Sequence, residues 1–163
     1  VQQAHHAQGD ALTLNAALVG RTYPPTSPYV VGREKVREFA TAIGDANPAY
    51  HDVDAARALG YADVVAPPTF AFVIAYAGSS QAAMDPELGL DYSRVVHGEQ
   101  RFAYSRPIVA GDSLVATATI EAIRAVAGND ILTTRVDLAT EAGEHVVTTT
   151  TVIVARGTAE ESA

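Results

Sequence analysis

Apolar and polar positions follow two periods along this chain, with the change near residue 90. Upstream, "GREKVREFATAIG" puts Val36, Phe39, Ala40 and Ile43 at helical spacing, with Arg33, Glu34, Lys35 and Arg37 elsewhere on the wheel. This predicts an amphipathic helix that Gly44 stops. A shorter helix is expected over "AARAL", capped by Asp52 or Asp54 and ended by Gly60. From Pro68 to about Met84 the residues are apolar nearly all round, which predicts a helix buried on most faces. Pro68 suits its first position, where a missing N–H is no loss.

Downstream, four runs read as strands: "SRVVHGEQRFAYS", "SLVATATIEAIR", "ILTTRVDLAT" and "HVVTTTTVIVA". They are rich in Val, Ile, Thr and Tyr, and turn chemistry in "PIVAGD", "AGND" and "EAGE" separates them. In the second run Leu114, Ala116, Ala118, Ile120 and Ala122 alternate with Val115, Thr117, Thr119 and Glu121, giving one apolar and one mixed face. The expectation is an antiparallel meander. Its apolar face needs a cover, and the helix from Pro68 is the element apolar enough to supply it. The predicted fold is α+β, a single hot-dog domain with an antiparallel sheet wrapped around a long central helix. Exposed strand edges further suggest pairing with a second copy or a homologue.

Composition narrows the function classes. At 163 residues and 48% hydrophobic, the chain fits one domain with a real core. The expected division is a flexible lead over 1–17, the domain over 18–156 and a flexible tail over 157–163. The lead "VQQAHHAQGD" has neither the basic end nor the apolar stretch of a secretory signal, and His5 and His6 read as part of a polar terminus rather than a metal site. The 19 acidic against 11 basic residues give a net charge of −8, which repels phosphate backbones and anionic lipid and argues against nucleic acid as a partner. Without cysteine there are no disulfides or thiolate metal sites, in keeping with a cytoplasmic protein. The longest apolar stretch, "VVAPPTFAFVIAYAG", is shorter than the roughly 20 residues of a membrane-spanning helix.

The stretch "IGDANPAYHDV" concentrates the chemistry: an acid, an amide and an imidazole around a Gly-Asp turn. Two readings stand: Asp45 serves a helix C-terminal turn and His51-Asp52 starts the next helix, or the group forms an acid/base site. "GDANP" with a following His, "AARALGY", "PPTF" and "RPIVAGD", in that order, resemble the MaoC-type (R)-specific hydratase/dehydratase family. The closest likeness is to the HadA-like (3R)-hydroxyacyl-ACP dehydratase subunits of type II fatty-acid synthesis. The resemblance runs from about Leu18 to Ala155.

What it implies is a dehydratase of (3R)-hydroxyacyl thioesters, on an acyl carrier protein or coenzyme A, run in reverse as an enoyl hydratase. It implies no metal and no redox cofactor. Asp45, Asn47 and Pro48 match the Asp-x-Asn-Pro-x-His motif, but Tyr50 holds the family's His position and His51 comes one later. Asp45, His51 and Asn47 are therefore the candidate catalytic residues. Active relatives carry His-Gly where this chain has Pro67-Pro68, so the Gly N–H that polarises the thioester carbonyl is missing, and Thr69 N–H is the nearby substitute.

Tyr50, Thr69, His97 and Gln100 are the candidate substrate-binding residues. Arg101, Tyr104 and Arg106 follow and are further candidates for facing the acyl site or a carrier's phosphopantetheine, and Arg57, Arg101 and Arg106 are candidates for a basic patch facing an acidic carrier protein. Two roles remain open: an enzyme using Asp45 and His51, or a non-catalytic acyl-chain-binding subunit, as a homodimer or a heterodimer with a catalytic hot-dog chain. A hot-dog thioesterase needs a carboxylate near the central helix to activate water, and residues 69–84 contain none.

Overall fold

The computed structural model describes residues 14–158. Of the expected flexible lead over 1–17 and tail over 157–163, residues 1–13 and 159–163 lie outside the described residues. Within them, a two-residue strand β1 (Tyr29–Val30) precedes helices α1 (Arg33–Ala42), α2 (Val53–Ala58) and α3 (Ala71–Ala83). Four long strands follow: β2 (Val95–Tyr104), β3 (Ser113–Val126), β4 (Asn129–Thr140) and β5 (His145–Ala155).

The five strands form one antiparallel sheet in the order β1-β3-β4-β5-β2. The expected meander holds for β3, β4 and β5. β2 departs from it, pairing with β5 at the far edge rather than with β3. The sheet curls about α3, which packs against β3, β4 and β5, so the strand that leaves the helix lands on one edge and its successor starts near the other.

α3 begins at Ala71, three residues later than Pro68, because Pro68, Thr69 and Phe70 form a turn in which the Phe70 N–H donates to the Pro67 carbonyl at 2.9 Å. Its buried residues, Ala71, Ile74, Ala75, Gly78 and Ala82, share one face. The opposite side is open, with Tyr76 50% exposed. Burial on most faces is therefore corrected: one sheet covers one stripe of a helix, whatever the rest is made of. Gly78 sets the separation, since a Cβ there would lie 3.2 Å from both the Ala116 Cβ and the Val136 Cγ1.

Leu114, Ala116, Ala118 and Ile120 are fully buried as expected, but Ala122 is not. A bulge between Ile120 and Ala122 leaves Glu121 as an extra residue and exchanges the faces beyond it, so Ile123 rather than Ala122 turns inward. Ile43, expected on the apolar face of α1, is the C-cap and 49% exposed. α1 docks instead through Val36, Ala40 and an edge-to-face contact of Phe39 with Phe70, their centroids 5.4 Å apart.

The packed region reaches slightly past the expected limits at both ends. Leu14 and Leu18 are buried beside Leu88 and Ile120, and the Leu14 N–H donates to the buried Asp130 at 3.0 Å. Thr158 is also buried, with its hydroxyl donating to the Ala155 carbonyl. The outer edge of β3 is covered by the incoming chain, through Gly20, Tyr23 and Thr26 N–H groups that donate to β3 carbonyls. The outer edge of β2 has no strand beside it among the described residues.

Candidate functional site

The chemistry-rich loop is built as a relay of caps. α1 ends in a Schellman turn: Gly44, at φ +74°, donates to the Thr41 carbonyl, and the Asp45 N–H donates to the Ala40 carbonyl at 2.9 Å. The Asp45 carboxylate then accepts from the Asn47 N–H at 3.0 Å. The Asn47 side chain in turn accepts from the Ala49 N–H at 3.1 Å, capping a 3₁₀ turn over Pro48–Tyr50 with Pro48 at its first position. Asp52 repeats the device, accepting from Ala55 N–H at 2.7 Å at the start of α2. Short acceptors at two- and three-residue spacing are what such a relay requires.

His51 is drawn into the same scaffold. Its Nε2 lies 2.9 Å from the Asp45 backbone carbonyl, and its own carbonyl accepts from Arg37 Nε at 2.8 Å. The ring thus ties the two ends of the loop together. Asp45 and His51 are neighbours, but the contact runs through the aspartate backbone rather than its carboxylate.

Beside this loop, at the leading end of α3, lies a cavity of about 360 Å³. Asn47, Tyr50, Leu59, Tyr61, Pro68 and Tyr104 shape it, over a floor of Ala49, Val65 and Ala66. Its wall is mostly apolar, with three phenols and one amide, the composition of a small-molecule site. Asn47, Tyr50 and Tyr104 are the sequence candidates that line it. Asp45 and His51 stand behind them.

Burial, followed by the nearby Asp45 charge, pushes the Tyr50 phenol up, against a smaller opposing effect of the Asn47 side chain. Tyr50 is therefore a neutral hydrogen-bond donor, not a base. Burial likewise pushes Tyr104 up to about 12. Tyr104 donates to the Pro68 carbonyl at 2.6 Å.

The remaining candidates lie elsewhere. Thr69 is exposed and outside the cavity lining. His97 packs on Phe72, with centroids 5.8 Å apart, and lines a second hollow of about 70 Å³ between α3 and the sheet, together with Tyr76, Tyr92 and Thr151. Gln100 accepts from the Thr151 hydroxyl at 2.8 Å, and its buried Nε2 has no partner among the described residues.

The proposed basic patch is spoken for. Arg106 bonds Asp112 at 2.8 Å and Glu144 at 2.7 Å, Arg101 pairs with Glu99, and Arg57 lies 3.8 Å from Asp54. Tyr61 and Leu59 were not singled out by sequence. They reach the cavity because "PIVAGD" folds back on residues 64–66, with Ala66 N–H donating to the Ile108 carbonyl at 2.8 Å and Val65 bridging Val109. Among the described residues no group of three or more His, Asp or Glu side chains is placed to hold a metal, and no helix is long and apolar enough to cross a membrane.

A curled antiparallel sheet around one helix, with a cavity at the helix tip beside an Asp-x-Asn-Pro loop, defines a hot-dog protein of the MaoC-like dehydratase class. The family model described as "FAS1-like, dehydratase domain region" matches residues 17–149, and the chain belongs to that family. It is 62% identical to a UPF0336 protein of Streptomyces coelicolor over 149 residues, 91% of this chain and 99% of that relative. A UPF0336 protein of Thermobifida fusca is 52% identical over 91% of this chain and 97% of its own length.

Among solved structures, a MaoC-like dehydratase superposes with a TM-score of 0.80 at 41% identity, over 86% of this chain. This chain spans 42% of that longer protein. The HadBC (3R)-hydroxyacyl-ACP dehydratase complex of Mycobacterium tuberculosis matches with a TM-score of 0.75 at 33% identity, over 84% of this chain and 96% of that one.

Proposed function

We propose that this chain is the acyl-thioester-binding subunit of a (3R)-hydroxyacyl thioester dehydratase, and that a homologous hot-dog chain supplies the general acid and base. The observation that carries the reading is the division of the loop. Asp45 and His51 are engaged in holding its backbone, while the surface offered to a ligand consists of phenols, an amide and apolar side chains.

Dehydration needs one group to take the proton beside the thioester carbonyl, another to protonate the departing hydroxyl, and donors for the enolate-like oxygen. Neutral phenols serve as donors to a carbonyl and are poor bases near pH 7. An apolar cavity with few polar groups suits an acyl chain or the arm of a carrier.

Two further features support a paired assembly. Among the described residues β2 presents an open edge, with Val96, Tyr76 and Tyr92 exposed, a strand edge of the kind that proteins usually cover. The MaoC-like dehydratase it resembles is more than twice as long as the matched region, and the HadBC relative is a complex. Coenzyme A or an acyl carrier protein would carry the acyl group. With Arg57, Arg101 and Arg106 already paired to carboxylates, contact with an acidic carrier falls mainly to the partner. The assembly operates in the cytoplasm on fatty acyl intermediates, without metal or redox cofactor.

The test measures hydration of an enoyl thioester by the purified chain, by a catalytically complete hot-dog partner, and by the mixture. The expected result is negligible turnover by this chain alone and a rate in the mixture above the partner's own, with longer acyl chains accepted. Robust turnover by the chain alone overturns the division of labour and returns the acid/base role to its own loop.

A further inference from the structure

A polar row crosses the inner face of the sheet. Gln100 of β2 lies opposite Thr151 of β5, and Thr151 lies opposite Thr134 of β4, so the three side chains share a face. Thr149, further along β5, is on that face as well. Its surroundings are apolar: Val136 and Phe102 lie on either side of Thr149, and Leu132 and Ile153 stand beyond Thr134 and Thr151. Two atoms of the polar group are unpaired among the described residues. The Thr151 hydroxyl donates to Gln100 Oε1 at 2.8 Å and leaves the buried Gln100 Nε2 without an acceptor. The Oγ1 of Thr149, a residue 0% exposed, has no partner either. Such atoms cost the fold stability, and apolar residues of the same shape, as at Val136 and Val147, would avoid that cost. Space adjoins the row: the hollow of about 70 Å³ between α3 and the sheet is lined by Thr134 and Thr151. On the other side Tyr104, which lines the cavity at the helix tip, is on the same face of β2 as Gln100 and about 13 Å away.

We propose that this row binds an oxygen carried within the acyl chain, so that the thioester received here is an oxygenated acyl group, with a ketone or hydroxyl about 13 Å beyond the tip cavity, and not a plain alkyl chain. The inference deepens the thioester-binding reading and rests on it. Gln100 Nε2 only donates, whereas a threonine hydroxyl donates or accepts. One chain oxygen therefore accepts from Gln100 and Thr149 together and satisfies both. An alkyl chain in the same place satisfies neither. Both protein atoms are already withdrawn from water, so the new hydrogen bonds displace none on the protein side. Binding requires the Gln100 and Thr149 side chains to turn toward the hollow, where Thr151, the present partner of the amide, already lies.

The full chain is titrated by calorimetry with dodecanoyl-pantetheine and with a set of oxo-dodecanoyl-pantetheines whose ketone moves stepwise through the middle of the chain. At least one ketone position is expected to bind about 10-fold tighter than the plain chain. That preference should fall about threefold in Thr149→Val and in Gln100→Met, each of which removes one donor, and vanish in the double variant. Equal binding of every probe by the wild type overturns the oxygen site and leaves the thioester reading standing. A preference that persists in the double variant overturns it too. Failure to bind any probe overturns the thioester reading itself, and the oxygen site with it.

Should the variants fail to fold, the side-chain amide resonances of Gln100 in the wild type decide. They shift with the oxo probes and not with the plain chain if a chain oxygen accepts from Nε2. An equal response to all probes refutes the assignment.

Discussion

Replacing Asp45 by asparagine and by alanine separates its architectural role from a chemical one. The carboxylate accepts one backbone hydrogen bond, from Asn47 N–H at 3.0 Å, at a half-buried position just beyond the C-terminus of α1. Asparagine keeps the acceptor oxygen and removes the charge. It also removes a negative group from the negative end of a helix dipole, a gain of about 0.3 kcal/mol. The net effect of Asp45→Asn on stability is therefore expected to lie within about 0.5 kcal/mol of zero.

Alanine loses the acceptor and leaves the Asn47 N–H to water, at a cost of about 1 kcal/mol. For a domain of this size that is a fall in Tm of roughly 2–4 °C. Urea unfolding and thermal melts read the stability, and enoyl-thioester hydration by the mixture with a catalytic hot-dog partner reads the chemistry. If Asp45 is a scaffold residue, Asp45→Asn supports hydration at the wild-type rate. A loss of about a hundredfold in Asp45→Asn at unchanged Tm, the size expected for removing an acid/base group, would refute the reasoning.

Other outcomes follow from the same geometry. Gly78→Val drives carbon into the 3.2 Å approach to Ala116 and Val136, and the overpacking should cost about 2 kcal/mol in urea unfolding despite the better helix propensity; wild-type stability would mean that α3 does not seat on the sheet there. Leu59→Trp, at a 65% exposed position on the cavity rim, is expected to weaken acyl-pantetheine binding about tenfold, the lower end of the range for a steric change in an apolar pocket, with Tm unmoved; unaltered affinity would locate the acyl group elsewhere.

Asp63 is held below the usual carboxylate range by the Arg33 guanidinium, and Asp85 by the Tyr23 hydroxyl. Each contributes stability that is full above the unfolded carboxylate pKa of about 3.9 and is lost as pH falls through its lower folded value. The double variant Asp63→Asn/Asp85→Asn should flatten the Tm profile below about pH 4, and an identical acid limb in both proteins contradicts these pairings.

The local patterns carried most of the architecture. Helical spacing in residues 32–44 and alternation after Ser93 are properties of short windows, so α1, α2 and the four long strands were legible without tertiary knowledge. Asp45, Asn47 and Asp52 could likewise be read as turn formers, since a cap is a contact over two or three residues. Alternation says which residues share a face and nothing about which strand lies beside which. The meander expected from the sequence thus missed that β2 pairs with β5, and the bulge at Glu121 silently reversed the pattern beyond it.

The site divides in the same way. A family likeness drew attention to Asp45 and His51, yet whether an imidazole faces a ligand or a backbone carbonyl six residues away depends on how the loop closes, and closure brought Nε2 to the Asp45 carbonyl. Tyr61, Leu59 and Tyr104 share a cavity because residues 64–66 dock on 108–110, a contact across more than forty positions that no local window registers. By itself the chain's order of residues determined a helix to be wrapped and a sheet to wrap it. Long-range packing decided which side chains meet at the helix tip, because that depends on strand order and loop closure and not on periodicity.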